Sequence, residues 1–274
     1  MMAPYTPIEL AEAFIRTGEL ADALDALNPH LEANPDDATA LRIRAAVLMR
    51  LPGEDHARAA LADIDKLDTK TADDYVQQSV IWQMGLGDWS QAVSSTEQAH
   101  QLALSDDRIT ERLLMLYDQV GELDKARTLL GTLPQTWRWL QLAGNLAQKA
   151  QQPETAIKRY SEALELVEAK LDTDYNPIAR NIMGMIVGSR AAAQLEAGHV
   201  AAAEVDYRVV AIVFPTDLSY SLMIGISLAL QDKLDDAVLL CRSILQDEPP
   251  LETMLREKAA AYPALKPLLE RLGL

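Results

Sequence analysis

The sequence predicts an all-α fold built from tandem helical hairpins, and three observations support this prediction. Apolar residues make up 49% of the 274 positions and aromatic residues only 5%, and Ala and Leu, both strong helix formers, dominate the apolar set. Val and Ile do not alternate with polar residues, which argues against a sheet. Finally, an alanine recurs along the chain, with four of the six intervals at 34 or 35 residues. The series is Ala23, Ala57, Ala92, Ala126, Ala156, Ala203 and Ala237.

Each alanine belongs to a longer pattern. A first helix carries a small residue with a larger apolar residue three positions later, a turn follows, and a second helix carries the alanine and a bulky residue four positions later. The small residues allow close helix crossing. One unit cannot bury its own apolar face, so the units must stack. The first unit reads Ala11, Phe14, Gly18, Ala23 and Leu27; the fourth reads Leu114, Tyr117, Gly121, Ala126 and Leu130; the third has weaker matches at Val80 and Gln83.

This pattern resembles the tetratricopeptide repeat (TPR) family over nearly the whole chain. The resemblance implies a right-handed α–α superhelix, a TPR solenoid of about seven helical hairpins. We expect the solenoid to span residues 1–250 and a C-terminal capping helix to span 251–274. The expected repeats are about 4–37, 38–72, 73–106, 107–136, 137–176, 177–217 and 218–250.

Two intervals break the period. The interval of 30 residues lies around 133–137 and predicts a tight junction between repeats. The interval of 47 residues predicts two longer helices, from Pro153 to about Leu171 and from Pro177 to about Ala197, joined by a loop at 172–176. Both prolines suit a first helical turn.

Composition excludes several functional classes. The net charge of -16 disfavours nucleic-acid binding, which needs a basic surface. The only cysteine, Cys241, indicates a reducing compartment. The N-terminus lacks a signal-peptide pattern. The longest uncharged segment, 218–230, is too short to span a membrane. We therefore expect a cytoplasmic protein without a membrane span.

No catalytic or metal-binding pattern stands out in the sequence. His30, His56, His100 and His199 do not share metal-ligand spacing. Cys241 occupies a bulky second-helix position, which favours a core thiol over a nucleophile. We expect no enzymatic activity, no cofactor and no metal.

In the TPR family the first helices line an inner groove, and one subfamily binds peptide C-termini there with a carboxylate clamp. Arg42, Gln78, Arg108 and Arg112 partly match that clamp, while Ala46 replaces one of its asparagines. An arginine can hold a carboxylate through two hydrogen bonds. The resemblance therefore implies a groove in repeats two to five for an acidic or C-terminal peptide segment. Its expected residues are Arg42, Gln77, Gln78, Arg108, Arg112, Met115, Arg138, Gln141, Asn145 and Gln148.

Alternatives remain open at this point. The arginines can instead pair with local acids such as Asp106, Asp107 and Glu111. In the seventh repeat the groove positions Leu222, Ile226 and Ala229 are apolar. They form either a docking patch or a contact with the C-terminal helix, which we favour.

The pattern as a whole favours a non-enzymatic scaffold or adaptor that binds a protein or peptide partner. One alternative is a structural module that self-assembles into homo-oligomers. Another is a regulatory accessory subunit of an enzyme complex.

Overall fold

The computed structural model describes residues 5–171 and 177–274. Every regular element in these residues is helical, which confirms the all-α class. The chain divides into two compact units, Met1–Ala126 and Arg127–Leu274, and the boundary falls within the eighth helix.

The first unit is a series of helical hairpins. Two of its helices begin with a capping box, in which a threonine and an acid three residues later satisfy each other's backbone donors: Thr6 with Glu9, and Thr71 with Asp74. The helices are α1 (Pro7–Thr17), α2 (Leu20–Ala33), α3 (Ala38–Leu48), α4 (Glu54–Asp65), α5 (Ala72–Val80), α6 (Trp89–Leu102), α7 (Asp107–Val120) and the start of α8 (Leu123–Thr132).

The second unit continues with longer helices. The two longest helices, Pro153–Leu171 and Pro177–Glu196, each start at a proline as predicted, so the 47-residue interval between register alanines is explained by helix length. The loop predicted at 172–176 lies outside the described residues. The helices are α9 (Trp137–Lys149), α10 (Pro153–Leu171), α11 (Pro177–Glu196), α12 (Val200–Val213), α13 (Leu218–Leu230), α14 (Leu234–Asp247), α15 (Leu251–Ala261) and α16 (Lys266–Leu272).

The seven alanines that set the register are all buried, with at most 3% of their surface exposed. Each lies in the second helix of its hairpin. A methyl group at this position lets the first helix approach closely. The alanine spacing therefore reports helix packing, as the sequence predicted.

The third repeat departs from the predicted register by one residue. Ser79, not Val80, takes the buried small position, and its hydroxyl donates to the carbonyl of Ala92 at 2.9 Å. A π-helical turn, Ile81–Gly85, follows α5 and absorbs one extra residue. This insertion explains why the interval from Ala57 to Ala92 is 35 residues rather than 34.

The turns between paired helices require a left-handed residue. Gly121 takes this conformation with φ of 79°, which costs glycine nothing. In the fifth and seventh repeats the same place is held by Gln151 and Asp232, with φ of 56° and 62°. These two residues carry the backbone strain that glycine avoids elsewhere.

The prediction of one C-terminal helix over 251–274 is wrong. Two helices, α15 and α16, are separated by a 3-10 turn at Pro263–Leu265. Tyr262 is extended because the residue before a proline disfavours the helical conformation. Leu255, Leu265 and Leu268 of this segment are fully buried.

The apolar positions of the seventh repeat join the same core. Leu222 and Ile226 are fully buried, and Ala229 is nearly so. They belong to one hydrophobic cluster with residues of the C-terminal segment. The alternative of an exposed apolar docking patch at these positions is therefore wrong.

Candidate functional site

The ten residues expected to bind a peptide lie on the first helices of four repeats. Six belong to the first unit, on α3, α5 and α7, and four belong to the second unit, on α9.

Arg42 is held by an acid of the next repeat. Its guanidinium donates to both carboxylate oxygens of Asp74, at 2.7 and 2.8 Å. Asp74 is buried and also accepts from the backbone and hydroxyl of Thr71. Burial raises the pKa of Asp74, but the hydrogen bonds from Arg42 and Thr71 outweigh burial and leave the pKa lowered. Arg42 therefore joins two repeats.

Arg108 is exposed and pairs locally. It donates to Asp106 at 2.9 Å and lies 3.6 Å from Asp73. Hydrogen bonds from Arg108 lower the pKa of the Asp106 carboxyl. For this arginine the local pairing with Asp106 is confirmed.

Arg112 is different, because its partners are neutral. Its half-buried guanidinium donates to Ser79 Oγ at 3.1 Å and to Gln83 Oε1 at 2.8 Å. Within residues 5–171 and 177–274 it makes no ion pair. Burial lowers the pKa of the Arg112 guanidinium, yet the group stays charged at neutral pH. The site thus holds a partly desolvated cation without an anion.

The second helix of the third repeat carries a small residue at a position where other repeats carry a large one. Thr96 stands four residues after the alanine, where other repeats place a larger side chain such as Leu27, Leu61 or Tyr160. Thr96 Oγ1 donates to Ser79 Oγ at 2.7 Å. Thr96 and Ser79 thus form a hydrogen-bonded pair of hydroxyl groups, and the Arg112 guanidinium donates to the Ser79 member of that pair.

Apolar and amide groups complete this part of the first unit. Met115 lies three residues after Arg112, on the same face of α7, and is 51% exposed. Met84, in the π turn, is 74% exposed and was not singled out from the sequence. Gln78 donates to Asp65 at 3.1 Å. The side-chain nitrogen of Gln77 is buried without a hydrogen-bond partner.

In the second unit, two of the four predicted residues meet at one tyrosine. The buried Tyr160 hydroxyl donates to Asn145 Oδ1 at 2.7 Å and lies 3.1 Å from Gln148 Oε1. Gln148 also donates to Glu196 at 3.0 Å. Burial raises the pKa of Tyr160, so its hydroxyl stays protonated.

The other two α9 residues make different contacts. Arg138 lies over the ring of Trp139, 5.9 Å from its centroid. Gln141 is half-buried.

Cys241 is buried against Gly225, and burial raises the pKa of its thiol to about 11. A thiol in this state is a poor nucleophile. No group of three or more His, Cys, Asp or Glu side chains in the described residues is arranged to hold a metal ion. Nor does any described helix combine the length and apolarity needed to cross a membrane.

Comparison with known proteins identifies the repeat. The sequence model of the tetratricopeptide repeat matches residues 8–75. The C-terminal part of a TPR repeat-containing protein from Cytophaga hutchinsonii aligns over 97% of this chain and 99% of its own, with a TM-score of 0.63 and 14% identity. Residues 8–75 therefore match the tetratricopeptide repeat, and the chain as a whole has the fold of TPR solenoids.

Other TPR-like folds align less completely. A chain of the Naa15/Naa10 complex bound to HypK-THB aligns over 97% of this chain and 44% of its own, with a TM-score of 0.56 and 15% identity. The MamA protein aligns over 62% and 94%, with a TM-score of 0.51 and 21% identity. A comparison with curated protein sequences finds no significant match. TPR proteins generally mediate contacts between proteins.

Proposed function

We propose that this TPR protein is a non-enzymatic scaffold or adaptor. Its first unit binds an extended segment of a partner protein along α3, α5 and α7. The ligand presents a carboxylate, from a chain end or an acidic side chain, to Arg112. The observation that carries this proposal is the half-buried Arg112 guanidinium, whose hydrogen bonds to described residues all go to the neutral oxygens of Ser79 and Gln83.

The physical argument concerns the missing counterion. A cation removed from water is stabilised by a carboxylate far more than by a hydroxyl or an amide. Carboxylates elsewhere already occupy Arg42 and Arg108. Arg112 retains its charge and forms no ion pair with any residue that the structure describes, in a chain whose net charge is -16. An incoming carboxylate therefore gains most at Arg112.

The neighbouring groups define the rest of the ligand. Met115 and Met84 offer exposed, adaptable apolar contacts of the kind used at peptide-binding surfaces. Gln78 supplies an amide group, and the exposed Arg108 can exchange its partner Asp106 for a ligand. In the second unit, Arg138, Gln141, Asn145 and Gln148 form a separate polar face on α9 for additional peptide contacts.

Self-assembly is a second candidate, supported by a different observation. Val205 and Leu239 occupy equivalent second-helix positions 34 residues apart, and both are mostly exposed, as is Ile212. Matching apolar positions on successive second helices suit contact with another copy. Light scattering over a concentration series distinguishes the candidates, because a strict monomer contradicts self-assembly.

The peptide proposal is tested with an array of short peptides that end in a free carboxylate, end in an amide, or carry an internal acid. We expect the carboxylate-bearing peptides to bind more tightly, and the Arg112→Gln variant to lose about tenfold or more in affinity. Arg112→Lys keeps the charge but loses the two-pronged geometry, so an intermediate affinity is expected.

Arg58→Gln is the matched control, because Arg58 is an exposed arginine on α4 paired with Glu54. Removing that charge should leave the affinity nearly unchanged. Equal losses for Arg58→Gln and Arg112→Gln would show that only net charge matters, and the assignment of Arg112 would then be wrong.

A further inference from the structure

The second helix of the fourth repeat is one turn shorter than most of its counterparts. The helix α8 has 10 residues, whereas α2, α6, α12 and α14 each have 14. All five begin three residues before the register alanine, so the missing residues come from the C-terminal end of α8. The 30-residue interval is therefore explained by a lost helical turn.

A cleft lies where this turn is missing. It has a volume of about 330 Å³ and is lined by residues of α8, the segment after it, α9 and α10, all within the second unit. Trp139, Leu140, Ala143 and Leu146 supply an apolar wall. At Gly131 of α8 an added Cβ would meet nothing within 4 Å. This volume is at the lower end of the range for ligand pockets, about 300–1,000 Å³.

The charge of the cleft is opposite to that of the chain. Arg127 and Arg159 both line it, and none of its lining residues is an acid. The acid that pairs with Arg159, Glu162 at 2.8 Å, lies outside the lining. An apolar wall beside two guanidinium groups complements a ligand that combines a bulky apolar group with a carboxylate.

We propose that this cleft binds a partner peptide in which a bulky apolar side chain lies next to an acidic residue. The apolar side chain enters the space left by the missing turn of α8, and the acid pairs with Arg159 or Arg127. This site uses α8, α9 and α10 and is independent of the Arg112 site on α3, α5 and α7.

The test uses the full chain and short acetylated, amidated peptides, with the Trp139 indole signal in NMR as the readout. One peptide carries Phe beside Asp, a second carries Phe beside Asn, and a third carries Ala beside Asp. We expect the first to shift the Trp139 signal at the lowest concentration, the second to bind about threefold to fivefold more weakly, and the third to have no effect.

Two variants locate the binding. Ala143→Leu adds bulk to the apolar wall and should abolish the shift. Arg159→Gln should reduce the preference for Asp over Asn. Arg208→Gln is the control, because Arg208 is an exposed arginine on α12 paired with Glu204 four residues earlier. Circular dichroism establishes that each variant is folded. If Ala143→Leu does not fold, the Arg159→Gln variant and the three peptides still test whether the cleft binds an apolar side chain next to an acid.

Several results would overturn the proposal. These are a Trp139 signal that no peptide shifts, equal binding of the Asp and Asn peptides, or unchanged binding by folded Ala143→Leu. If N-acetylphenylalanine binds as tightly as the Phe-Asp peptide, the ligand is a small carboxylic acid and the peptide assignment is wrong.

Discussion

Gly225 and Cys241 pack so closely that a Cβ on residue 225 would lie 2.4 Å from the Cys241 sulfur. The two residues are the small first-helix residue and the large second-helix residue of the seventh repeat. Gly144 and Tyr160 stand in the same relation in the fifth repeat, with a closest distance of 2.5 Å. In both repeats the second-helix side chain lies so close to the first helix that only glycine fits at the facing position.

Gly225→Ala should therefore destabilise the protein by about 1–3 kcal/mol, because an overpacked crossing forces the helices apart. The free energy of unfolding in urea measures this change. Combining it with Cys241→Ala should recover part of the loss. Gly131→Ala is the control and should be neutral or slightly stabilising, since its Cβ enters open space within a helix. Equal effects at both glycines would contradict the packing argument.

The buried thiol predicts a loss of stability in alkali. Burial raises the pKa of Cys241 from 9.0 to about 11, so the unfolded chain ionises first as the pH rises. The stabilising contribution is complete below pH 9 and is lost between pH 9 and 11, at about 1.4 kcal/mol per pH unit. Buried tyrosines add to the wild-type slope. A Cys241→Ala variant should show a shallower slope, and identical slopes would contradict the assignment.

Replacement by glutamine should lower the stability of the protein at Arg42 but not at Arg112. Arg42→Gln leaves the buried Asp74 without its cation and should cost about 2 kcal/mol, a figure reduced because Arg42 is one-third exposed. Arg112→Gln removes a cation that has no anion, so stability should be unchanged or slightly higher. Thermal and chemical unfolding of both variants measure the difference. A large loss for Arg112→Gln would show that the residue is structural.

At low pH the stabilising contribution of the Arg42–Asp74 pair should be lost. The pKa of Asp74 lies below 3.8 in the folded state, so its stabilising contribution is present above pH 3.8 and is lost as the pH falls through the lowered value. In Arg42→Gln, burial is no longer offset by the arginine, so protonation should begin at higher pH. NMR titration of the Asp74 carboxyl carbon follows this directly. An unchanged titration curve would mean that Thr71 alone sets the pKa.

Replacing the two left-handed non-glycine residues should stabilise the turns. Gln151→Gly and Asp232→Gly each relieve backbone strain, and after the entropy cost of glycine a gain of up to about 1 kcal/mol is expected. Gly121→Ala should have the opposite sign. Melting temperatures of the three variants test this, and a loss at both Gln151 and Asp232 would contradict it.

The repeat could be predicted from the sequence because each close helix crossing requires a small residue, and these residues recur at a nearly fixed spacing. Each register alanine is buried in the helix where the pattern placed it. The one-residue shift in the third repeat was also readable, since Ser79 lies 34 residues after Ala45. The break in the C-terminal helix had a signal as well, in Pro263.

The state of the arginines could not be predicted in the same way. Arg42, Arg108 and Arg112 look alike in the sequence, yet they differ in their partners. Arg42 meets Asp74 from 32 positions away, and Arg112 meets Ser79 from 33 positions away. Such contacts between repeats depend on how neighbouring helices are rotated, which periodicity alone does not specify. The short α8 had a signal in the 30-residue interval, but the cleft beside it did not.

The solitary buried thiol also provides a built-in probe of fraying. The stability of stacked repeats is distributed along the chain, and terminal repeats can open before the rest. Because Cys241 is the only cysteine and lies in the seventh repeat, its alkylation rate under native conditions measures how often that repeat opens. Comparing this rate with global unfolding will show whether the last hairpins melt on their own or only with the whole protein.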